Sequence, residues 1–373
     1  MRIVRLANFW TPSSGGQRIA LDEVGRRYRE RGHEPVLVVP GASHGDAVGP
    51  SGRIVTLAGR RLPGTPYRLL TDVDRVIEVL GRLRPDRIEL SDRATLWPVL
   101  RWAEEAGVPA VLWAHERVDA ILAPRVPAAV PLGRATRLWN RRTLRRLARA
   151  VAPSSFVAEE LRTAGVPDVR VVPHGVDLDL FRPGHRPPPS PRGPRLVWVG
   201  RLSGEKRPEL AVAALEALVK RGHEARLMVV GDGPAGPALR RRAQGLPVTF
   251  TGHLANRSAM SHLLAVADVA LATCPCESFG LAALEALACG TPVVASRSGA
   301  LRELVDPTAG RLSDDRPEGV ADAVEDLLAV PAEVRVGLAR RRAERYSWEA
   351  TVDGLLLAHD ATTGRSHRGQ VPA

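Results

Sequence analysis

The chain of 373 residues is long enough for two domains, each with a core of its own. Hydrophobic residues make up 44% and charged residues 25% of it, as in globular proteins, and no apolar run reaches the roughly 18 residues of a membrane-spanning helix. The net charge of +12 favours an anionic membrane surface or a phosphorylated substrate; nucleic acid is not expected, because only 4% of residues are aromatic and they show no stacking pattern.

The chain begins with the pattern of a nucleotide-binding α/β domain. A strand over Arg2–Asn8 precedes a glycine loop, a helix over Ile19–Tyr28 and a second strand over Val36–Val39. This order predicts a parallel, Rossmann-like sheet. Gly15 and Gly16 lie at the carboxyl end of the first strand, which favours a ligand loop over a plain turn.

Two further strands of this domain end at polar side chains. The strand Arg87–Leu90 runs into Asp92, and the strand Pro109–Trp113 runs into His115. The carboxyl ends of parallel strands are the usual ligand edge of such a sheet, so both side chains are candidates, Asp92 for an acceptor. A structural role is the alternative for a lone histidine.

The domain boundaries follow from a proline-rich segment. The pattern predicts a first domain over residues 1–181, an extended linker over 182–194 and a second domain over 195–345. A last helix over 346–361 and a frayed tail over 362–373 complete the chain.

The second domain repeats the strand-loop-helix order. After the strand Arg195–Val199, the loop carries Arg201 and Lys206. Two cations at a strand's carboxyl end suit a diphosphate, whose charge they neutralise as it leaves. Solvated loop charges are the alternative.

The segment Gly231–Gly236 matches G-x-G-x-x-G, with Gly231 and Gly233 as the first two glycines. The match suggests NAD, but no Asp or Glu occurs between Pro237 and Ala267, where the ribose ligand of a dinucleotide site belongs. The sequence therefore disfavours a dinucleotide.

The most informative stretch runs from Ala267 to Ser296 and reads as strand, loop, helix, turn and strand. Glu277 precedes the predicted helix and Glu285 lies inside it, so the two carboxylates could hold two points of one ligand about 9 Å apart along the axis. Ser278 is a candidate helix cap. The N–H groups of Phe279, Gly280 and Leu281 form a ready anion site at the predicted helix start, Phe279.

Three cysteines are too few for a disulfide framework or a zinc site, and we expect them to be small buried side chains. A strand pattern follows Met1 at once, without a signal peptide. The expected location is the cytoplasm, with peripheral binding to the inner face of the plasma membrane.

The stretch around Glu277 and Glu285, together with Gly290–Ala295, resembles the signature of the retaining glycosyltransferases of family 4. The resemblance implies an α/β protein of the GT-B fold, with two Rossmann-like domains facing across a cleft. It also implies that the predicted last helix, 346–361, crosses back to the first domain. It also implies a nucleotide-sugar donor and front-face displacement, in which the donor's β-phosphate oxygen helps to deprotonate the acceptor hydroxyl.

The resemblance implies roles for the candidate residues. Glu277 holds sugar hydroxyls and Glu285 the ribose, while Arg201 and Lys206 hold the diphosphate. His115 contacts the donor sugar. The other implied donor contacts are Gly15, Gly16, Gly231, Gly233, His253, Leu254, Ser278, Phe279, Gly280 and Leu281. No cofactor and no metal are implied, since the cations are side chains and no Asp-x-Asp motif occurs.

The whole chain also resembles the actinobacterial phosphatidylinositol mannosyltransferases, on Ala7–Phe9, Ser14–Gly16, Ser91–Arg93 and His115–Arg117. That implies GDP-mannose as donor and a lipid-linked mannoside as acceptor. Two alternatives stay open: a glycosyltransferase for a soluble sugar or natural product, and a nucleotide-sugar-binding or NAD-binding protein without activity.

One basic segment suggests a membrane surface. On a helical wheel over Arg134–Val151, seven arginines fall within one half and Leu144, Leu147 and Val151 cluster opposite. A basic amphipathic helix can lie on an anionic bilayer. The alternative is that the leucine side packs on the sheet and the arginine side is merely solvated.

Overall fold

The computed structural model describes residues 1–11, 15–63, 65, 67–122, 131–184 and 193–363. The chain forms two compact units. The first comprises Met1–Pro173 and the chain from Trp348 onward, and the second comprises His174–Ser347. Most of the predicted linker and tail, residues 185–192 and 364–373, lies outside the described residues.

The first unit is built on a mostly parallel sheet of eight strands. Its strands, with a separate two-stranded ribbon of β5 and β6, are β1 (Arg2–Leu6), β2 (Glu34–Gly41), β3 (Gly45–Gly49), β4 (Gly52–Ala58), β5 (Arg60–Arg61), β6 (Arg68–Leu69), β7 (Arg87–Leu90), β8 (Ala110–Trp113), β9 (Arg149–Ala152) and β10 (Asp168–Val171). The order across the sheet is β10-β9-β8-β7-β1-β2-β4-β3, and only β3 pairs antiparallel.

Helices connect these strands. They are α1 (Gly16–Glu30), α2 (Val73–Leu83), α3 (Val99–Glu105), α4 (Val118–Leu122), α5 (Leu132–Thr143) and α6 (Ser155–Thr163). Apolar strand residues such as Val4 and Val36, both fully buried, belong to one core with the inward faces of α2, α3 and α6. This is the arrangement that buried parallel strands require.

The second unit has a six-stranded sheet in which every pairing is parallel. Its strands are β11 (Arg195–Val199), β12 (Arg226–Val230), β13 (Val248–Gly252), β14 (Val269–Ala272), β15 (Val293–Ser296) and β16 (Gly310–Ser313). Its helices are α7 (Pro208–Lys220), α8 (Gly236–Arg242), α9 (Arg257–Val266), α10 (Leu281–Ala288), α11 (Leu301–Leu304), α12 (Pro317–Leu328) and α13 (Ala332–Ala343). The order β13-β12-β11-β14-β15-β16 is that of a doubly wound nucleotide-binding sheet.

The boundary between the units falls at Pro173, eight residues before the predicted Phe181. The reason is packing: Phe181 is fully buried in a core of the second unit, and the Val176 amide donates to Tyr346 O at 3.1 Å. Residues after Pro173 therefore belong to the second unit although no sheet strand holds them.

The last helix, α14 (Trp348–Thr363), belongs to the first unit. Arg27 Nε lies 2.8 Å from Glu349 Oε1, and His359 Nε2 lies 2.9 Å from Glu89 Oε1 with both side chains fully buried. Among the described residues, no helix is both long and apolar enough to cross a membrane.

The prediction of one amphipathic helix over 134–151 is wrong. The helix α5 ends at Thr143, because Leu144 and Leu147 turn into the core and Arg149 already belongs to β9. Arg149 is buried, with Nε 2.6 Å from Asp168 Oδ2. The buried face of α5 is polar, and its exposed face carries Leu138 and Trp139.

Candidate functional site

The sheet order of the second unit brings two predicted site loops together. The chain leaves β11 toward β12 on one side and enters β14 on the other, so the carboxyl ends of β11 and β14 flank the point where the strand order reverses. Ligands of open α/β sheets bind at such a switch point. Lys206 follows β11 and Glu277 follows β14.

Lys206 and Glu277 form an ion pair at this point. Lys206 Nζ donates to Glu277 Oε2 at 2.8 Å, and the side chains are 29% and 20% exposed. Burial disfavours the ammonium, but the Glu277 carboxylate, with smaller contributions from Cys274 and Cys276, outweighs it, so the pKa of Lys206 lies above its usual value. Lys206 is therefore a fixed positive charge at the edge of the sheet.

Arg201 lies in the same loop and is 44% exposed on its side chain. Its Nη2 donates to Glu205 Oε1 at 3.0 Å, and Ser203 Oγ donates to the same oxygen at 2.7 Å. This contact orients Arg201 without burying it, so its guanidinium remains accessible to an anion.

The helix α10 begins at Leu281, two residues later than predicted. Its N-cap is Gly280 with φ of 99°, so the prediction that Ser278 is the N-cap residue is wrong. A Cβ on Gly280 would lie 2.5 Å from Leu301 Cδ2, so both the left-handed backbone and the space require glycine. The half-exposed segment from Glu277 to Ser278 leads directly into this helix start, while Phe279 is buried.

Glu285 is buried in α10 and already holds a cation. Its Oε1 accepts from Arg257 Nη2 at 2.9 Å, and the Arg257 guanidinium lies 4.8 Å from the centre of the Phe181 ring. The sequence analysis did not single out Arg257. Arg257 is the first residue of α9. The sequence pattern that could have indicated it is a cation directly after a helix-capping residue, Asn256.

Gly231 and Gly233 pack against the loop that carries Arg201. A Cβ on Gly231 would lie 1.8 Å from Gly200 O, and one on Gly233 would lie 2.5 Å from Leu202 O. The φ angles of the two glycines are 133° and 156°. The absence of a Cβ at these two glycines allows the loops after β11 and β12 to pack closely together.

His253 and Leu254 follow β13 at the same edge of the sheet. His253 is exposed, and Leu254 is half-buried against a core of the unit. The Gly231 amide donates to Gly252 O at 2.8 Å, so the loops after β12 and β13 are also joined. The site loops thus form a continuous edge from β13 to β14.

A second histidine was missed by the sequence analysis. His174 is buried, and its ring lies 5.0 Å from that of Phe279 in an edge-to-face arrangement. Burial lowers the pKa of His174 from 6.5 to about 3, so the ring is neutral at physiological pH. The sequence places His174 between Pro173 and Gly175, and this local pattern does not reveal the packing against Phe279.

In the first unit, Asp92 lies at the corresponding switch point between β1 and β7. Its Oδ2 accepts from Asn8 Nδ2 at 2.7 Å, and its Oδ1 accepts from the Ala94 amide at 3.1 Å. Asn8 itself is fully buried and accepts from the Leu70 amide at 2.8 Å. The Asp92 carboxylate therefore orders its own loop through Ala94 and joins it to the loop after β1 through Asn8.

His115 is buried at the end of β8 and packs on Trp113, with ring centroids 4.4 Å apart. Gly15 is the N-cap of α1 and Gly16 its first residue, and both are exposed. A Cβ on Gly15 would meet nothing within 4 Å, so no described protein atom requires glycine there. An open helix start of this kind leaves room for an anion.

Comparison with known families and proteins agrees with this architecture. A model described as Glycosyltransferase Family 4 matches residues 14–180, and one described as Glycosyl transferases group 1 matches residues 193–330. A GDP-mannose-dependent alpha-(1-6)-phosphatidylinositol dimannoside mannosyltransferase from Mycobacterium tuberculosis is 41% identical over 95% of both chains. A D-inositol 3-phosphate glycosyltransferase from Rhodococcus opacus is 32% identical over 73% of this chain and 66% of its own.

Two solved structures share the fold across nearly the whole chain. Sucrose-phosphate synthase from Thermosynechococcus elongatus matches with a TM-score of 0.77 at 20% identity, over 98% of this chain and 99% of that one. Anabaena HepE in complex with UDP and glucose matches with a TM-score of 0.74 at 19% identity, over 97% and 100%.

The two Rossmann-like units and the solved structures that they match define the GT-B fold, and the matched family models define a glycosyltransferase. The chain belongs to glycosyltransferase family 4, which confirms the resemblance inferred from the stretch around Glu277 and Glu285.

Proposed function

We propose that this glycosyltransferase moves mannose from GDP-mannose to a phosphatidylinositol mannoside, with retention at the anomeric carbon. The observation that carries the proposal is the Lys206–Glu277 pair at the switch point of the second sheet. The choice of donor and acceptor is supported by the mycobacterial mannosyltransferase, because the identity of 41% extends over 95% of both chains.

In this proposal the cations hold the diphosphate. Lys206, kept charged by Glu277, would turn toward the β-phosphate, and exposed Arg201 would bind beside it. Both neutralise the charge that develops as GDP leaves. The N–H groups at the start of α10 add a positive dipole end aimed at the same region.

The two glutamates would hold the two ends of the donor. Glu277 would accept hydrogen bonds from mannose hydroxyls, since among the described residues no group bonds to its second carboxylate oxygen. Glu285, fixed by Arg257, would accept from the ribose. Gly231, Gly233, His253 and Leu254 belong to the adjoining loops and would flank the nucleotide.

Retention follows in the proposal from attack on the face that the diphosphate leaves. The β-phosphate oxygen would take the acceptor's proton, so no enzyme carboxylate needs to attack the anomeric carbon. We also propose that no metal or other cofactor is used, because Lys206 and Arg201 supply the positive charge. Turnover should then survive EDTA, and full dependence on Mg²⁺ or Mn²⁺ would contradict the proposal.

The first unit would supply the remaining groups. Buried His115 would contact the donor sugar, and the open N-terminus of α1 at Gly15 and Gly16 would lie near phosphate or acceptor. The Asp92 carboxylate already orders its own loop through Ala94 and joins it to the loop after β1 through Asn8. We therefore propose that Asp92 shapes the acceptor site rather than serving as a catalytic base.

The decisive experiment offers the purified protein a panel of radiolabelled nucleotide sugars with phosphatidylinositol mannosides, and separately with inositol phosphate as a soluble acceptor. We expect label from GDP-mannose in the lipid fraction, with the anomeric configuration of the donor kept in the product. Transfer only to inositol phosphate would favour the soluble-acceptor alternative, which the similarity to D-inositol 3-phosphate glycosyltransferases supports.

Access to a lipid acceptor would come from peripheral membrane binding through α5. Its exposed side carries Leu138 and Trp139, 67% and 45% exposed, with arginines on either side. An apolar centre rimmed by cations suits the boundary between anionic headgroups and acyl chains. The location would be the cytoplasmic face of the plasma membrane.

A further inference from the structure

Two cysteines lie directly before Glu277. Cys274 Sγ and Cys276 Sγ are 3.7 Å apart, and only Pro275 separates the residues in the chain. Cys274 is buried and Cys276 is half-buried. The expectation that all three cysteines are buried side chains is therefore wrong for Cys276, which is only half-buried.

The surroundings of Cys276 favour a reactive thiolate. The hydrogen bond from Cys274 lowers the pKa of Cys276, and the Lys206 ammonium contributes in the same direction. The pKa of Cys274 is raised by the same hydrogen bond, by burial and by Glu277. A half-buried thiol whose pKa a nearby cation helps to lower, with a second thiol 3.7 Å away, is the pattern of a redox-sensitive cysteine with a resolving partner.

We propose that Cys274 and Cys276 form a dithiol site that a peroxide oxidises to a disulfide, and that this disulfide disturbs the Lys206–Glu277 pair. The Cys276 thiolate attacks one peroxide oxygen, forming S–O and releasing hydroxide as the O–O bond breaks. The sulfur of Cys274 then attacks the sulfenic sulfur, forming S–S and releasing water. In sum, two thiols and one hydrogen peroxide give one disulfide and two waters.

The loop transmits the change because it is anchored on both sides. Thr273, next to Cys274, places its Oγ1 2.9 Å from the backbone oxygens of both Lys206 and Arg207. On the other side, the Ala300 amide donates to Glu277 O at 2.9 Å. Oxidation draws the sulfurs from 3.7 Å to the roughly 2.0 Å of a disulfide, between these two anchors.

The consequence for activity rests on the proposed function. A misplacement of about 1 Å at a reacting group can cost about 10²-fold in rate. We therefore expect peroxide to lower the kcat of mannosyl transfer by about tenfold or more, and dithiothreitol to restore it. The disulfide itself does not depend on which donor or acceptor is used.

The test compares reduced, peroxide-treated and re-reduced full-length protein. Intact mass and maleimide-reactive thiols report the chemistry, and turnover of GDP-mannose reports its effect. The control is Cys289→Ala. Cys289 is buried at the end of α10, outside the loop that carries the two thiols, and its Sγ donates to Ser261 O at 3.5 Å. Wild type and this control should each lose the mass of two hydrogen atoms, two reactive thiols and activity, all recovered by dithiothreitol.

The variants Cys276→Ser and Cys274→Ser should both stay active after peroxide treatment, because neither can form the disulfide. Cys274→Ser should gain oxygen at Cys276 instead of losing hydrogen. If Cys276→Ser loses activity as wild type does, the proposal is overturned. It is also overturned if wild type forms no disulfide, or forms one and keeps full turnover. Phenylarsine oxide on wild type, which bridges close thiols, checks the pair without a substitution; failure to bind one per chain contradicts it.

The two proposals fail in different ways. Reduced protein that turns over no GDP-mannose contradicts the proposed donor, while mass and thiol counts still decide the dithiol chemistry. Active reduced protein that resists peroxide contradicts the switch and leaves the proposed function standing.

Discussion

Lys206 can be compared with the other lysine of the chain. Lys220 Nζ lies 2.8 Å from Glu216 Oε1, the same distance as in the Lys206–Glu277 pair, but the Lys220 side chain is 72% exposed on the outer helix α7. The two pairs share their chemistry and differ in position. Substitutions in the two pairs therefore distinguish a role in the reaction from a role in stability.

We expect Lys206→Ala, Arg201→Ala and Glu277→Gln each to lower kcat by about 10²-fold or more, as loss of one charge-stabilising group does elsewhere. Lys220→Ala and Glu216→Gln should leave kcat unchanged, and all five variants should keep the circular dichroism of wild type. Steady-state kinetics with the labelled donor measures this. Activity of Glu277→Gln within about twofold of wild type would remove Glu277 from the site.

His174 predicts a pH dependence of stability. Its folded pKa of about 3 is below the unfolded value of 6.5, so between these values the unfolded chain binds more protons. The contribution of neutral His174 is complete above pH 6.5 and is lost as pH falls toward 3, by up to about 1.4 kcal/mol per pH unit.

The variant His174→Gln keeps a polar side chain that does not titrate. Its free energy of unfolding should therefore fall less steeply than that of wild type between pH 6.5 and 4.5, within the window set by the two pKa values. Urea titrations at several pH values measure the slopes. Parallel curves for the two proteins would show that His174 is not the titrating group.

At the scale of elements, the glycine loop after β12 has a structural role that can be isolated. Gly231 and Gly245 both have positive φ, 133° and 79°, but only a Cβ on Gly231 meets backbone, Gly200 O at 1.8 Å. Gly245→Ala should lower the free energy of unfolding only by the cost of the left-handed backbone for alanine, about 1–2 kcal/mol. Gly231→Ala should cost more, because the loops after β11 and β12 must separate.

Thermal unfolding of both variants gives the stability difference, and the KM for the donor shows whether donor binding is affected. We expect Gly231→Ala to raise the KM and Gly245→Ala to leave it unchanged, since only the former displaces the loop carrying Arg201. Equal melting temperatures for the two variants would contradict the close packing of these loops.

The helix α5 carries the membrane prediction. Salt-sensitive binding to vesicles containing phosphatidylinositol should need the arginines at 134, 137, 141 and 142, and Trp139 as the apolar anchor. Arg145 and Arg146 lie beyond the helix end, and Arg146 pairs with Glu104, so they matter less.

Vesicle flotation compares Arg141→Gln/Arg142→Gln with the matched pair Arg145→Gln/Arg146→Gln. The first pair and Trp139→Ala should weaken binding, and the second pair should not. If wild type floats equally with neutral and anionic vesicles at low salt, α5 is not a membrane surface and the soluble-acceptor alternative gains.

At the scale of the whole molecule, the two units predict different behaviour in isolation. Residues 174–347 contain a complete sheet, their own cores and the Lys206–Glu277 pair. Residues 1–173 lack α14, which supplies His359 to buried Glu89 and a carbonyl, Ala358 O, to Arg149.

The fragment 174–347 should therefore unfold cooperatively and bind GDP, while the fragment 1–173 should not unfold cooperatively unless α14 is added as a peptide. Thermal melts followed by circular dichroism and calorimetric titration with GDP measure both. A cooperative melt of 1–173 alone would mean that burying Glu89 without His359 costs less than expected.

The sequence by itself determined the α/β class, the strand-helix order and the family. Strand ends and the spacing of Glu277 and Glu285 depend on neighbours a few residues away, and these local signals are written in the chain. Their limits were also local: the wheel over 134–151 assumed one helix, whereas buried Leu144 and Leu147 end it at Thr143.

Only the tertiary structure decided which side chains meet. The order of strands in the sheet places Lys206 against Glu277, 71 residues apart, and Asn8 against Asp92, 84 residues apart. Such contacts depend on burying apolar surface across the entire fold, a free energy that no local pattern contains.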